Sequence, residues 1–200
     1  EKSKEFLQSI HKGAFDHKKM DLKIEDGKKF IEETDEKFDI IVLDLTDPVG
    51  PSVFLYTKEF YQTIASKLNE NGIFSLHTES PLFVPDSFNV IVNTLKSVYK
   101  HVKLAFQFVP MYGSVFSYAA CSNDIDATTI SAEEIDKRIA ERDVEDLQLY
   151  NGEIHQGIQA MPNYVKENLK KTIKIITMDD TEFPDDMKRY TSSKHLTLDF

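Results

Sequence analysis

Two carboxylates three residues apart, Asp44 and Asp47, follow directly on the apolar run Ile40-Ile41-Val42-Leu43, and the turn Pro48-Val49-Gly50-Pro51 comes next. A short apolar run bounded by turn residues reads as a buried parallel strand. In open α/β sheets, ligands bind just beyond the carboxyl ends of such strands. Two acids held there can grip a cationic group or take a proton from it, because a partly desolvated carboxylate serves as a base when its surroundings tune it. The same residues also read as turn formers, with Asp44 capping a turn and Asp47-Pro48 starting the next.

Further polar groups end neighbouring segments. Asp26-Gly27 follows the alternating run Met20 to Glu25 and is expected at the same sheet edge as Asp44. It reads either as a plain Asp-Gly turn or as an acceptor for an exocyclic amine, with Gly27 letting a planar ring approach the backbone. His77, Thr78 and Glu79 end a third apolar run, and Tyr112 sits in the turn Pro110-Met111-Tyr112-Gly113. A lone histidine in a strand end and an aromatic in a turn are each more often structural than functional, so both readings stand here.

Other chemistries find no support in the sequence. There is no G-x-G-x-x-G and no P-loop, and no serine stands in a nucleophile elbow. The six histidines lack zinc-like spacing with one another or with the single cysteine, so no metal is expected. The net charge of -10 argues against a nucleic-acid footprint. Cys121 alone cannot form an internal disulfide and fits a reducing, cytoplasmic setting. No run approaches the ~20 apolar residues of a membrane span, and Glu1 to Glu5 opens no signal peptide.

The elements that must position these groups follow from periodicity. Phe6, Leu7 and Ile10 give a short helical pattern, Met20 to Glu25 a strand, and Lys28 to Glu33 one or two helical turns. Phe38 to Leu43 is the strand ahead of Asp44. Thr57 caps a helix whose apolar stripe is Phe60, Tyr61, Ile64, Ala65 and Leu68, and Asn71-Gly72 is expected to end it. Gly72 to Leu76 is a strand, and Pro85 opens a helix with Phe88, Ile91, Val92, Leu95 and Val98 inward. Val102 to Val109 and Ser114 to Cys121 flank Pro110 to Gly113 as an antiparallel edge hairpin. The alternation up to residue 100 implies an α/β fold with a mostly parallel, doubly wound sheet. Ile130 to Arg142 and Pro162 to Lys171 read as helices. Residues 1–171 are expected to form one domain, with 172–200 a polar, irregular C-terminal extension.

The string Asp44-Leu45-Thr46-Asp47-Pro48-Val49-Gly50-Pro51, followed by Leu55-Tyr56-Thr57-Lys58-Glu59-Phe60-Tyr61, closely resembles the signature of the polyamine aminopropyltransferases, the spermidine and spermine synthase family. Gly13-Ala14-Phe15-Asp16, Glu25-Asp26-Gly27, Val109 to Gly113, Tyr150 to His155 and Met161-Pro162 resemble further family segments in order and spacing. The resemblance implies a methyltransferase-like Rossmann fold. It also implies transfer of an aminopropyl group from decarboxylated S-adenosylmethionine, a co-substrate rather than a tightly bound cofactor, to a diamine or polyamine, releasing methylthioadenosine.

By the same resemblance, Asp44 is the base or charge partner at the attacking amine and Tyr112 a hydrogen-bond partner near it. Asp47, His77 and Glu79 are substrate-side residues. Asp26 and Gly27 contact the adenine, and Leu45, Pro51 and Leu55 line the apolar side of the co-substrate site. The partner is a small polyamine, with neither nucleic acid nor membrane, and the assembly a homodimer or homotetramer. The family's Gly-rich loop, ribose-binding acid and small N-terminal β-domain belong upstream of residue 1, so these residues are expected to hold part of the co-substrate site. His77 stands where many members carry Gln, which leaves substrate choice and pH dependence open. Two other readings stay open: a small-molecule methyltransferase using S-adenosylmethionine on the same fold, and a non-catalytic relative acting as a regulatory subunit.

Overall fold

The computed structural model describes residues 2–126, 130–171 and 173–188. The chain divides into two compact units, Glu1–Thr34 and Asp35–Phe200. The first carries α1 (Lys2–Phe6), α2 (Gln8–His11), a 3-10 turn at Ala14–Asp16 and α3 (Gly27–Glu33). The expected strand Met20 to Glu25 is not formed. Its apolar positions face solvent, with Ile24 92% exposed. Alternation supplies an apolar face, but a strand also needs a neighbour to complete its ladder, and none pairs with it among the described residues.

The second unit is built on a four-stranded mixed sheet in the order β1-β2-β4-β3. Its strands are β1 (Phe38–Leu43), β2 (Leu68–His77), β3 (His101–Val109) and β4 (Ser114–Ser122). β1 and β2 are parallel, while β4 runs antiparallel to both β2 and β3. The hairpin therefore forms as its turn chemistry predicts, with β3 outermost and β4 inside. β1 departs from expectation: it is an edge strand, not a buried one, and Ile40 and Val42 are each 65% exposed. Its run of branched apolar residues fits a central parallel strand, yet only one of its sides is paired among the described residues.

Among the described residues the second unit also holds the α-helices α4 (Lys58–Ser66), α5 (Pro85–Lys96), α6 (Ala132–Glu141), α7 (Gly152–Gly157) and α8 (Asn163–Asn168), and one further helical turn at 185–188. α4 starts as predicted, with Thr57 Oγ1 accepting from Phe60 N. It ends earlier than predicted, because Asn71 and Gly72 lie within β2. Register slips there, so that Phe38 pairs with Leu68 but Ile40 with Ile73. Asn71 takes a left-handed φ of 62°, and a Cβ on Gly72 would come within 2.8 Å of the Asn69 carbonyl oxygen. The Asn-Gly pair thus supplies a kinked insertion in a strand, where sequence alone suggested a helix stop.

The core centres on β2. Phe74 is fully buried between Tyr61 of α4 and Tyr99, each with ring centroids 5.7 Å away. Ile64 of α4 and Phe88, Ile91 and Leu95 of α5 are also fully buried, as the 3.6-residue stripes require.

The polar tail after α8 is mostly irregular, as expected, but its described part is anchored to the sheet domain. Ile176, Phe183 and Met187 are buried. Ile176 accepts from Lys58 N at 2.8 Å and donates to Thr94 Oγ1 at 3.0 Å. Asp186 caps α5 from a distance of 100 residues in sequence, its carboxylate accepting from Asp86 N at 2.7 Å, Ser87 N at 3.2 Å and Ser87 Oγ at 2.6 Å. The cap residue itself, Val84, has no side chain that can do this. Replacing Asp186 with Ala is expected to cost about 1–2 kcal/mol, the usual worth of a helix cap with a charged acceptor, as a lowered midpoint in urea unfolding.

Candidate active site

β1 ends at Leu43, and the four residues that follow, Asp44 to Asp47, form a turn held from three sides. Ser52 Oγ donates to Asp47 O at 2.6 Å and receives Val49 N at 3.0 Å. Ser52 lies in a 3-10 helix, Gly50–Tyr56, started by Pro51. Tyr56, at the end of that helix, is fully buried and donates its hydroxyl to Thr46 O at 2.8 Å. From the end of β2, His77 Nε2 lies 3.0 Å from Leu45 O and 3.3 Å from the Tyr56 hydroxyl. Both carbonyls between the two acids are therefore fixed by side chains from separate elements.

β2 and β4 deliver the other walls. His77 pairs in register with Tyr118. Beyond the strand, Thr78 N donates to Ser117 O at 2.7 Å and Ser117 N to Glu79 O at 3.0 Å, which carries the pairing past His77. Glu79 is fully buried in a left-handed conformation, φ 71°, and its Oε1 lies 3.5 Å from His77 Nδ1. Non-glycine residues in that conformation cluster at functional sites. At the hairpin tip, Gly113 takes φ 62° so that its N–H can return to Val109 O at 3.0 Å. That turn presents Tyr112, whose ring packs 4.8 Å from Phe116.

These pieces enclose a cavity of about 360 Å³ lined by Asp44, Leu45, Asp47, His77 and Tyr112 and closed by Thr46, Phe116 and Tyr118. Its lining carries two carboxylates and neither lysine nor arginine, a combination suited to a cationic ligand with an apolar stem. Burial holds the His77 imidazole below its ordinary range, although the Leu45 carbonyl and the charges of Asp47 and Asp44 pull the other way. Burial also raises the Tyr118 phenol, with Tyr112 and Asp44 adding to the effect. No group of three or more potential metal ligands occurs among the described residues.

Of the residues singled out in the sequence, five line this one cavity: Asp44, Leu45, Asp47, His77 and Tyr112. Glu79 sits behind His77, off the lining. Pro51 and Leu55 lie on the 3-10 helix that follows the turn. Asp26 and Gly27 belong to the first unit, where Asp26 Oδ1 caps α3 by accepting from Lys28 N at 2.9 Å and Lys29 N at 3.2 Å. Sequence reasoning missed Tyr56, Phe116 and Tyr118. The signal for the last two was the period of two from Tyr112 along the hairpin, and for Tyr56 its place at the end of the segment that follows the Pro-Val-Gly-Pro turn.

The acidic turn, the histidine and the hairpin tyrosine lie within a segment, residues 1–132, that matches the spermine/spermidine synthase domain family. The chain belongs to that family. The polyamine aminopropyltransferase of Sulfurisphaera tokodaii is 42% identical over 180 residues, which cover 89% of this chain and 59% of that protein. The polyamine aminopropyltransferase of Nitrosomonas europaea is 36% identical over 166 residues, covering 83% of this chain and 51% of that protein. A spermidine synthase crystallised with the transition-state analogue AdoDATO superposes with a TM-score of 0.73 at 29% identity, covering 84% of this chain and 56% of the other. The spermidine synthase of Thermotoga maritima gives a TM-score of 0.69 at 27% identity, covering 84% of this chain and 55% of its own. The chain thus spans between half and three-fifths of the length of these relatives. The methyltransferase-like Rossmann character expected from the sequence agrees with these neighbours.

Proposed function

We propose that the protein carrying this chain transfers an aminopropyl group from decarboxylated S-adenosylmethionine to a diamine or polyamine. The observation that carries this reading is the cavity between Asp44, Asp47, His77 and Tyr112, with two carboxylates and neither lysine nor arginine. A polyamine has a cationic end for one acid and a neutral amine to present near the other.

In the reaction, the lone pair of the neutral amine attacks the propyl carbon bound to the sulfonium. The carbon–sulfur bond breaks and its electron pair returns to sulfur, giving neutral methylthioadenosine. The new nitrogen is positively charged and must lose a proton. Asp44 accepts that proton or stabilises the charge. Asp47 pairs with a substrate ammonium, and the Tyr112 hydroxyl orients the attacking nitrogen. On the co-substrate side, Leu45, Pro51 and Leu55 supply an apolar wall. The clamping of Leu45 O and Thr46 O supports these roles, since preorganised groups lose nothing to reorientation during the reaction.

The test is incubation of the native full-length protein with decarboxylated S-adenosylmethionine and a panel of diamines and polyamines. Release of methylthioadenosine together with an aminopropylated amine is the expected result. Transfer of a labelled methyl group from S-adenosylmethionine instead would identify a methyltransferase, and no product with any amine would leave a non-catalytic relative.

A further inference from the structure

The carbonyl oxygen of Leu45 can only accept, so the His77 nitrogen 3.0 Å from it must carry a proton. That nitrogen is Nε2. The Tyr56 hydroxyl already donates to Thr46 O and so meets Nε2–H with a lone pair. In neutral His77, the other nitrogen, Nδ1, is then a bare acceptor. It faces Glu79 Oε1 at 3.5 Å, and Glu79 is fully buried. Two acceptors facing each other in a desolvated setting favour a proton between them.

We propose that His77 and Glu79 form a proton-holding pair behind the cavity, whose net charge of minus one or zero sets how strongly the cavity attracts a cationic amine. The inference rests on the amine reading above. His77 is here a positioning residue. Its Nε2 is committed to the acidic turn and its Nδ1 is turned to Glu79, so it offers the cavity its ring and not a lone pair.

Among the described residues, the titratable groups that line the cavity with His77 are Asp44 and Asp47 from the turn after β1, Tyr118 from β4 and Tyr112 from the hairpin tip, and Tyr56 from the 3-10 helix meets its Nε2. Asp44 and Asp47 both favour proton uptake at His77, and burial opposes it. With no proton between Nδ1 and Oε1 the pair is negatively charged, and with one it is neutral. As pH falls, a proton enters between Nδ1 and Oε1, and the amine loses one counter-charge.

The experiment compares the native full-length protein with His77→Gln and Glu79→Gln, measuring KM and kcat for the amine from about pH 8.5 to about 5.5, which brackets the ordinary imidazole range. The KM of the unmodified protein is expected to rise about tenfold more toward acid than that of His77→Gln, the worth of one charge-assisted contact. Glu79→Gln is expected to show the raised KM at every pH, and kcat to follow the amine's own titration in all three. Nitrogen-15 spectra of the histidine rings, with His77 assigned by difference from His77→Gln, provide a readout independent of turnover and should show protonated Nε2. Superimposable KM profiles for the unmodified protein and His77→Gln would overturn the proposal, as would a neutral ring protonated on Nδ1. If no amine is turned over, the functional reading fails, while the ring spectra still decide whether the pair exists.

Discussion

Asp44→Asn is expected to lower kcat/KM by about 10²-fold or more, the usual contribution of a positioned general base. The substitution keeps the shape of the side chain and removes its ability to take a proton. Asp44 is exposed at the rim of its cavity, and its backbone is outside the sheet ladder. The carbonyls that anchor the turn belong to Leu45 and Thr46. Loss of the carboxylate should therefore leave the fold unchanged, and a urea unfolding curve should superimpose on that of the unmodified protein. The loss should fall mainly on kcat if Asp44 acts on the transferred proton, and on KM if it only attracts the amine. Release of methylthioadenosine under steady-state conditions measures both. A kcat/KM within about threefold of the unmodified value would remove Asp44 from the role of base.

Phe74→Ala is expected to cost about 3–5 kcal/mol of stability, the range for deleting a buried aromatic side chain. Phe74 is fully buried in the middle of β2 and packs on Tyr61 from α4 and on Tyr99, so no single neighbour can move in to fill the space. The same strand ends at His77, which links this core position to the site. For a domain of this size the loss corresponds to a fall in Tm of roughly 10 °C. Calorimetry or circular dichroism reads it. A change below about 1 kcal/mol would mean that the strand relaxes around the gap.

Much of this architecture is legible in the residues themselves. Thr57 before an apolar stripe and the Pro-Met-Tyr-Gly turn between two alternating runs each mark local geometry that the structure reproduces. The acidic turn is legible for the same reason: a strand that stops at two acids and a Pro-Val-Gly-Pro segment leaves few local conformations. What depends on partners is not legible. Ile40 and Val42 carry the signature of a central strand, but position in a sheet depends on which strands pair, not on a run's own composition. Met20 to Glu25 alternates as a strand should, yet alternation alone does not supply a neighbour. Asn71-Gly72 serves a helix end and a strand irregularity equally well, because both need a left-handed residue. At the site, Tyr56 and Tyr118 escape sequence reasoning because their roles arise from packing across elements.

The anchored tail gives the site an order of assembly. Phe183 packs edge-on against Tyr56 at 5.9 Å, the same Tyr56 that holds Thr46 O, and Asp186 reaches back 100 residues to the start of α5. Contacts of such long sequence separation form late, since the chain between them must first be gathered. During synthesis the acidic turn, the hairpin and both major helices emerge before residues 176–187 exist to brace them. The pocket's back wall is thus finished by the last structured stretch described, and a nascent chain stopped short of it holds its acids on a scaffold still missing its brace.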